Sequence, residues 1–174
     1  LTQKDNYWYL FTSHGNCCEG LNTNYYVNVF RAESPFGPYF GEDGKPMLGS
    51  GLGTNVIRNS ASFVGCGHNA VTTDDNGDFW LIYHGYDVNK PGTIAGGTNR
   101  RALCVDKLYW TDGWPHTKNY EASYTETECP YIQSGEHMKR FLTATLAAVM
   151  VLTMAGCGGS ANATYMNPVF SPVF

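Results

Sequence analysis

The chain has 174 residues, of which 15% are charged and 14% aromatic, with 20 glycines and a net charge of −4. That length holds one modest domain, and the sparse charge with abundant aromatics and glycine favours a β-rich one with many tight turns. No basic run is longer than the pairs Arg100-Arg101 and Lys139-Arg140, so nothing in the charge pattern points to nucleic acid as a partner. Taken in chain order, strands are expected at Tyr7–Thr12, Tyr25–Ala32, Ala70–Thr73, Phe79–His84 and Arg101–Tyr109. Each is rich in aromatic or β-branched residues and bounded by Gly, Asn or Asp. Asp75-Asn76-Gly77-Asp78 separates two of them, and Asn-Gly is a strong hairpin signal. No convincing helical periodicity precedes Met138.

The chain repeats itself. Tyr7-Trp8-Tyr9-Leu10-Phe11 matches Phe79-Trp80-Leu81-Ile82-Tyr83, and a His-Gly step follows each, at His14-Gly15 and His84-Gly85. Further on, Gly37-Pro38-Tyr39 lines up with Gly113-Trp114-Pro115. Similar strand units without intervening helices indicate propeller blades. Two blades cannot close a ring, so residues 1–118 are expected to form about the last two blades of an all-β, partial propeller. Residues 119–137 lose the alternation and gain Glu, Thr and Ser, and are expected to be a linker or read-through.

Residues 138–157 have another character. Met138 is followed by two positive charges, an apolar run from Phe141 to Ala155, and Ala155-Gly156-Cys157. This is the layout of a secretory signal peptide, here far from the N-terminus. A membrane-spanning helix is the other reading, but the run falls short of the roughly 20 apolar residues a span needs. The small-small-Cys ending resembles a bacterial lipoprotein box, with Met154 where Leu is usual, which makes Cys157 the candidate lipidation site and a lipid anchor the candidate membrane link. The segment is expected to be helical. Residues 158–174 then read as a tether and the truncated start of a second protein, so the chain reads as two frames joined.

Four stretches carry a family resemblance. They are Tyr9-Leu10-Phe11-Thr12-Ser13-His14-Gly15-Asn16-Cys17-Cys18-Glu19-Gly20-Leu21-Asn22; Gly67-His68-Asn69-Ala70-Val71; Trp80-Leu81-Ile82-Tyr83-His84-Gly85-Tyr86-Asp87; and Asn99-Arg100-Arg101 with Asp106-Lys107-Leu108-Tyr109-Trp110 and Gly113-Trp114-Pro115. In order and spacing they resemble the arabinan endo-1,5-α-L-arabinanases of glycoside hydrolase family 43, which are five-bladed β-propellers. The resemblance covers residues 1 to about 118. It implies a secreted or cell-envelope parent that hydrolyses α-1,5-arabinofuranosyl bonds in arabinan with inversion, using an acid and a base roughly 6.5–9.5 Å apart. The family's acid, base and third carboxylate fall outside the matched stretch, so the resemblance assigns no catalytic residue to this chain. Tyr165-Met166-Asn167-Pro168-Val169-Phe170 is similar to the mature start of another member.

The resemblance further implies that His68 stands on the propeller axis near a calcium ion, held through His68 and waters. A histidine that only hydrogen-bonds at a strand start is the plain alternative, since calcium prefers oxygen ligands. His14, Asn16 and His84 are the candidate contacts to the polysaccharide. Cys17-Cys18 has no visible base beside it and is expected to shape a loop. Asp74, Asp75 and Asp78 belong to the hairpin turn rather than to a metal loop. Glu128-Cys129-Pro130-Tyr131-Ile132 looks like the family's acid motif, but no aromatic strand follows it. Beside a fragment of a glycosidase that is inactive alone, the readings left open are a non-catalytic carbohydrate-binding blade pair and a membrane-anchored propeller fragment.

Overall fold

The computed structural model describes residues 1–49, 51–97, 99–125 and 128–133. The described residues are all-β apart from two three-residue 3-10 turns. The nine strands are β1 (Thr2–Lys4), β2 (Tyr7–His14), β3 (Tyr26–Ala32), β4 (Thr54–Ile57), β5 (Phe63–Thr73), β6 (Phe79–Asp87), β7 (Ala102–Lys107), β8 (Tyr109–Thr111) and β9 (Trp114–His116). They form a four-stranded antiparallel meander β1-β2-β3-β4, a three-stranded meander β5-β6-β7 and the hairpin β8-β9.

The two copies of the aromatic repeat are β2 and β6, and each is the second strand of its sheet. The repeat in the sequence is therefore a repeat of blade position. The five expected strands are all present. β1, β4, β8 and β9 had no sequence signal of their own: they run three or four residues, too short for a period-2 pattern. The Asn76-Gly77 turn closes the β5-β6 hairpin, with Gly77 at φ 82° and its N–H donating to Asp74 O. Asp74 organises that turn. Its Oδ1 accepts from the N–H groups of Asn76 and Asp78, and its Oδ2 from Trp80 Nε1 and the Tyr131 N–H. This is the structural role expected of the aspartates.

β2 and β3 are the inner strands of the first sheet and β6 that of the second. Val27, Asn28, Val29 and Phe30 are successive buried residues in β3, which shows packing on both faces. The core joins Tyr9, Val27, Val29 and Ile57 of the first sheet to Leu81, Tyr83 and Cys104 of the second. The β8-β9 hairpin ties them further. Tyr9 Oη donates to Gly113 O, and the Arg31 guanidinium lies 4.5 Å and 4.4 Å from the Tyr7 and Trp114 ring centres.

The compact unit extends to Ile132, past the expected end at 118. This corrects the linker reading for the described residues beyond 118. Ala122 is buried in the core, the Arg58 N–H donates to Tyr120 O, and the Asp75 N–H donates to Tyr131 O. Glu128 accepts from Tyr109 Oη and pairs with Lys107, so it serves as a surface strap. Such a segment packs through single anchors on a ready-made surface, and it needs no periodicity of its own. The signal-like segment, with Cys157, and the tail lie outside the described residues.

Candidate sugar-binding face

The candidate residues gather where β2, β3, β5 and β6 come together at one end. His14 is the last residue of β2. Its ring stacks on Tyr26 at 5.7 Å, and its Nε2 is 2.7 Å from Thr12 Oγ1. Burial holds its pKa below the usual histidine value. Beside it, Ser13 pins the two sheets: its Oγ donates to Asn69 Oδ1 and accepts the His68 N–H, each at 3.0 Å.

His68 lies inside β5, in a stretch where the register to β6 shifts twice, and its φ is 56°. The bulge turns the exposed His68 ring to 5.9 Å from the ring of His84. Gly67 has to be glycine here, because a Cβ would stand 2.2 Å from the Tyr25 ring. Tyr25 in turn lies 6.1 Å from His84. His84 occupies the β6 position paired with Gly67 on one side and Leu103 on the other. Burial first, then the Arg101 guanidinium and His68, push its pKa down to about 4. Its Nε2 is buried and has no hydrogen-bond partner among the described residues. Arg101 lies 5.5 Å from the Tyr86 ring, which sits edge-on to His84.

The structure thus brings His68 and His84 together, and joins His14 to them through the successive residues Tyr25 and Tyr26. Asn16 is set apart in the exposed loop after β2, where its backbone N–H donates to Asn24 Oδ1 at 2.6 Å. Sequence reasoning missed Tyr25 and Tyr26 as site residues. Two tyrosines opening a strand carry the same signal as two packing aromatics. Arg101 and Tyr86 were visible within the matched motifs but had no role there.

Imidazoles, phenols and one guanidinium suit hydroxyl groups and the apolar face of a sugar ring. As a metal site the cluster is poor in oxygen. Among the described residues, no group of three or more His, Cys, Asp or Glu could hold an ion. The donors present fit a hydrated ion touched by one imidazole, not a dehydrated calcium cage.

Comparison with known proteins fits this geometry. The chain is 32% identical over 122 residues to an extracellular exo-α-(1→5)-L-arabinofuranosidase of Cellvibrio japonicus, covering 70% of this chain and 33% of that protein. It is 34% identical over 115 residues to an extracellular endo-α-(1→5)-L-arabinanase of Bacillus subtilis, covering 66% and 32%. The chain therefore spans about a third of the length of the curated relatives it matches. Among solved structures, a Cellvibrio cellulosa α-L-arabinanase complexed with arabinohexaose superposes with a TM-score of 0.58 at 32% identity, covering 68% of this chain and 35% of that one. An exo-1,5-α-L-arabinanase from a bovine ruminal metagenomic library gives 0.57 at 30%, covering 67% and 36%. The model of the glycosyl hydrolases family 43 matches residues 1–115, and the chain belongs to that family.

Proposed function

We propose that this chain supplies the arabinan-contacting face of a secreted α-1,5-arabinan hydrolase and does not cleave the polysaccharide by itself. The observation that carries this is the match of residues 1–115, histidine face included, to relatives named for α-1,5-arabinan. His84 offers its free Nε2 to a sugar hydroxyl, His14 and Tyr26 form a stacked wall, and Tyr25 and Arg101 border the site. Asn16 adds an exposed amide at the margin. Inverting hydrolysis needs an acid and a base roughly 6.5–9.5 Å apart. The family's carboxyl groups fall outside the stretch of this chain that resembles it, so both would come from elsewhere. His68 would give one imidazole contact to a hydrated calcium ion, and that ion would supply positive potential in the site. The extracellular relatives support a secreted location for the parent; an envelope lipoprotein, with Cys157 the lipidated residue, would follow if the leader is used.

The test uses the full chain in calorimetric titration with 1,5-arabinohexaose and, as control, xylohexaose. Binding of the first alone, with no new reducing ends from linear arabinan, is expected. His84→Ala should weaken that binding about tenfold, the loss of one good hydrogen bond in a desolvated site. Equal binding of both sugars, or turnover of arabinan, would overturn the reading.

A further inference from the structure

The adjacent thiols of Cys17 and Cys18 have no part in the sugar reading, and the inference here does not depend on it. Both residues are exposed, and their Sγ atoms stand 2.8 Å apart. The loop that carries them is tied down on both sides. Before them, the Asn16 N–H donates to Asn24 Oδ1. After them, the Glu19 N–H donates to Thr23 Oγ1, and the Gly20–Asn22 turn closes with Thr23 N–H to Gly20 O. Gly20 packs against the Asn99 side chain, where a Cβ would come within 2.9 Å. Cys18 is held at φ 74° inside this frame. The loop thus aims two side chains at each other that an unfolded chain would leave to rotate freely.

The pair also has a charge partner. The Arg101 guanidinium lies close enough to the Cys18 thiol, as to Tyr86, to interact with it electrostatically. The thiolate, not the thiol, is the attacking form of a cysteine. The hydrogen bond with Cys18 holds the Cys17 thiol pKa above the usual value. The buried thiols of Cys66 and Cys104 are pushed up to about 12 by burial and are poor competitors.

We propose that Cys17 and Cys18 are a reversible redox site, closing to a vicinal disulfide by exchange with a small-molecule disulfide. The Cys18 thiolate attacks one sulfur of the small disulfide, forming a mixed disulfide and expelling one small thiolate. Cys17 then loses its proton and attacks the Cys18 sulfur, forming the Cys17–Cys18 bond and expelling the second small thiolate. The protein gives up two electrons and two protons, and the small disulfide becomes two small thiols. Adjacent Cα atoms lie about 3.8 Å apart, short of the roughly 4.4–6.8 Å of ordinary disulfides, so the closed form is strained. Strained, exposed disulfides are the labile ones, which makes this site responsive to the surrounding redox poise.

The experiment equilibrates the full chain in mixtures of oxidised and reduced glutathione, quenches in acid, alkylates with N-ethylmaleimide and maps peptides by mass spectrometry. The peptide spanning both cysteines is expected unalkylated and lighter by two hydrogens, with alkylation restored by dithiothreitol. Cys17→Ser should trap Cys18 as the glutathione mixed disulfide. The equilibrium constant for closure should be at least about tenfold larger in buffer than in concentrated urea, because only the folded loop presents the two sulfurs to each other. Arg101→Gln should slow exchange at Cys18 several-fold while leaving the far-ultraviolet circular dichroism unchanged. The proposal fails if both cysteines are alkylated or separately glutathionylated in the folded chain. It fails equally if the closure constants in buffer and urea agree.

Discussion

At the residue scale the buried polar groups set the sensitivities. His84 has a folded pKa of about 4 against about 6.5 when unfolded. The folded state therefore binds fewer protons in that window. The stability His84 contributes is complete above pH 6.5 and is lost as pH falls towards 4. Burial of His14 acts in the same direction. With a discount for partial exposure, the His84 effect is on the order of 1–2 kcal/mol. Urea titrations at pH 7 and pH 4.5 should show this loss, and His84→Asn should flatten it. Tyr83 is the second sensitive point. Its buried hydroxyl donates to Asp106 Oδ2 at 2.6 Å, and burial followed by Asp106 raises its pKa. Tyr83→Phe leaves a buried carboxylate oxygen short of a donor, and among the described residues the Ser123 N–H remains on it, at 3.3 Å. A loss of about 1–3 kcal/mol in chemical denaturation is expected.

At the scale of elements, the segment after β9 and the bulge of β5 decide most. The bulge puts His68 on the side of the sheet facing His84, and Gly67 makes room for the Tyr25 ring beside it. The later segment closes the bottom of the core with Ala122 and caps the Asp74 turn through Tyr131. A chain ending at 118 should therefore melt at a lower temperature than one ending at 132, as differential scanning calorimetry would record. Equal melting temperatures would mean that this segment contributes nothing.

At the scale of the whole molecule, the second sheet shows an open apolar face. Along β7, Cys104 and Asp106 are buried, while Leu103 and Val105 are 79% and 40% exposed. An exposed apolar edge strand is a template for further pairing. Concentration-dependent self-association is expected in sedimentation velocity, and Leu103→Lys with Val105→Lys should suppress it while the circular dichroism spectrum is retained. A wild-type chain that stays monomeric at high concentration would contradict this account.

The sequence alone determined the strand class, the β5-β6 turn, the repeat of blades and the family, because these rest on local periodicity, turn chemistry and linear motifs. Asn76-Gly77 demands its hairpin wherever it sits, and aromatic repeats at equal places in two sheets are visible as strings. His14, His68 and His84 were also visible as candidates. Only the tertiary structure decided that Tyr25 and Tyr26 bridge them, that Arg101 serves both Tyr86 and Cys18, and that residues beyond 118 belong to the core. Those facts depend on a register shift inside β5 and on contacts between residues far apart in the chain. Neither leaves a periodic trace, because packing selects them by shape after the strands have formed.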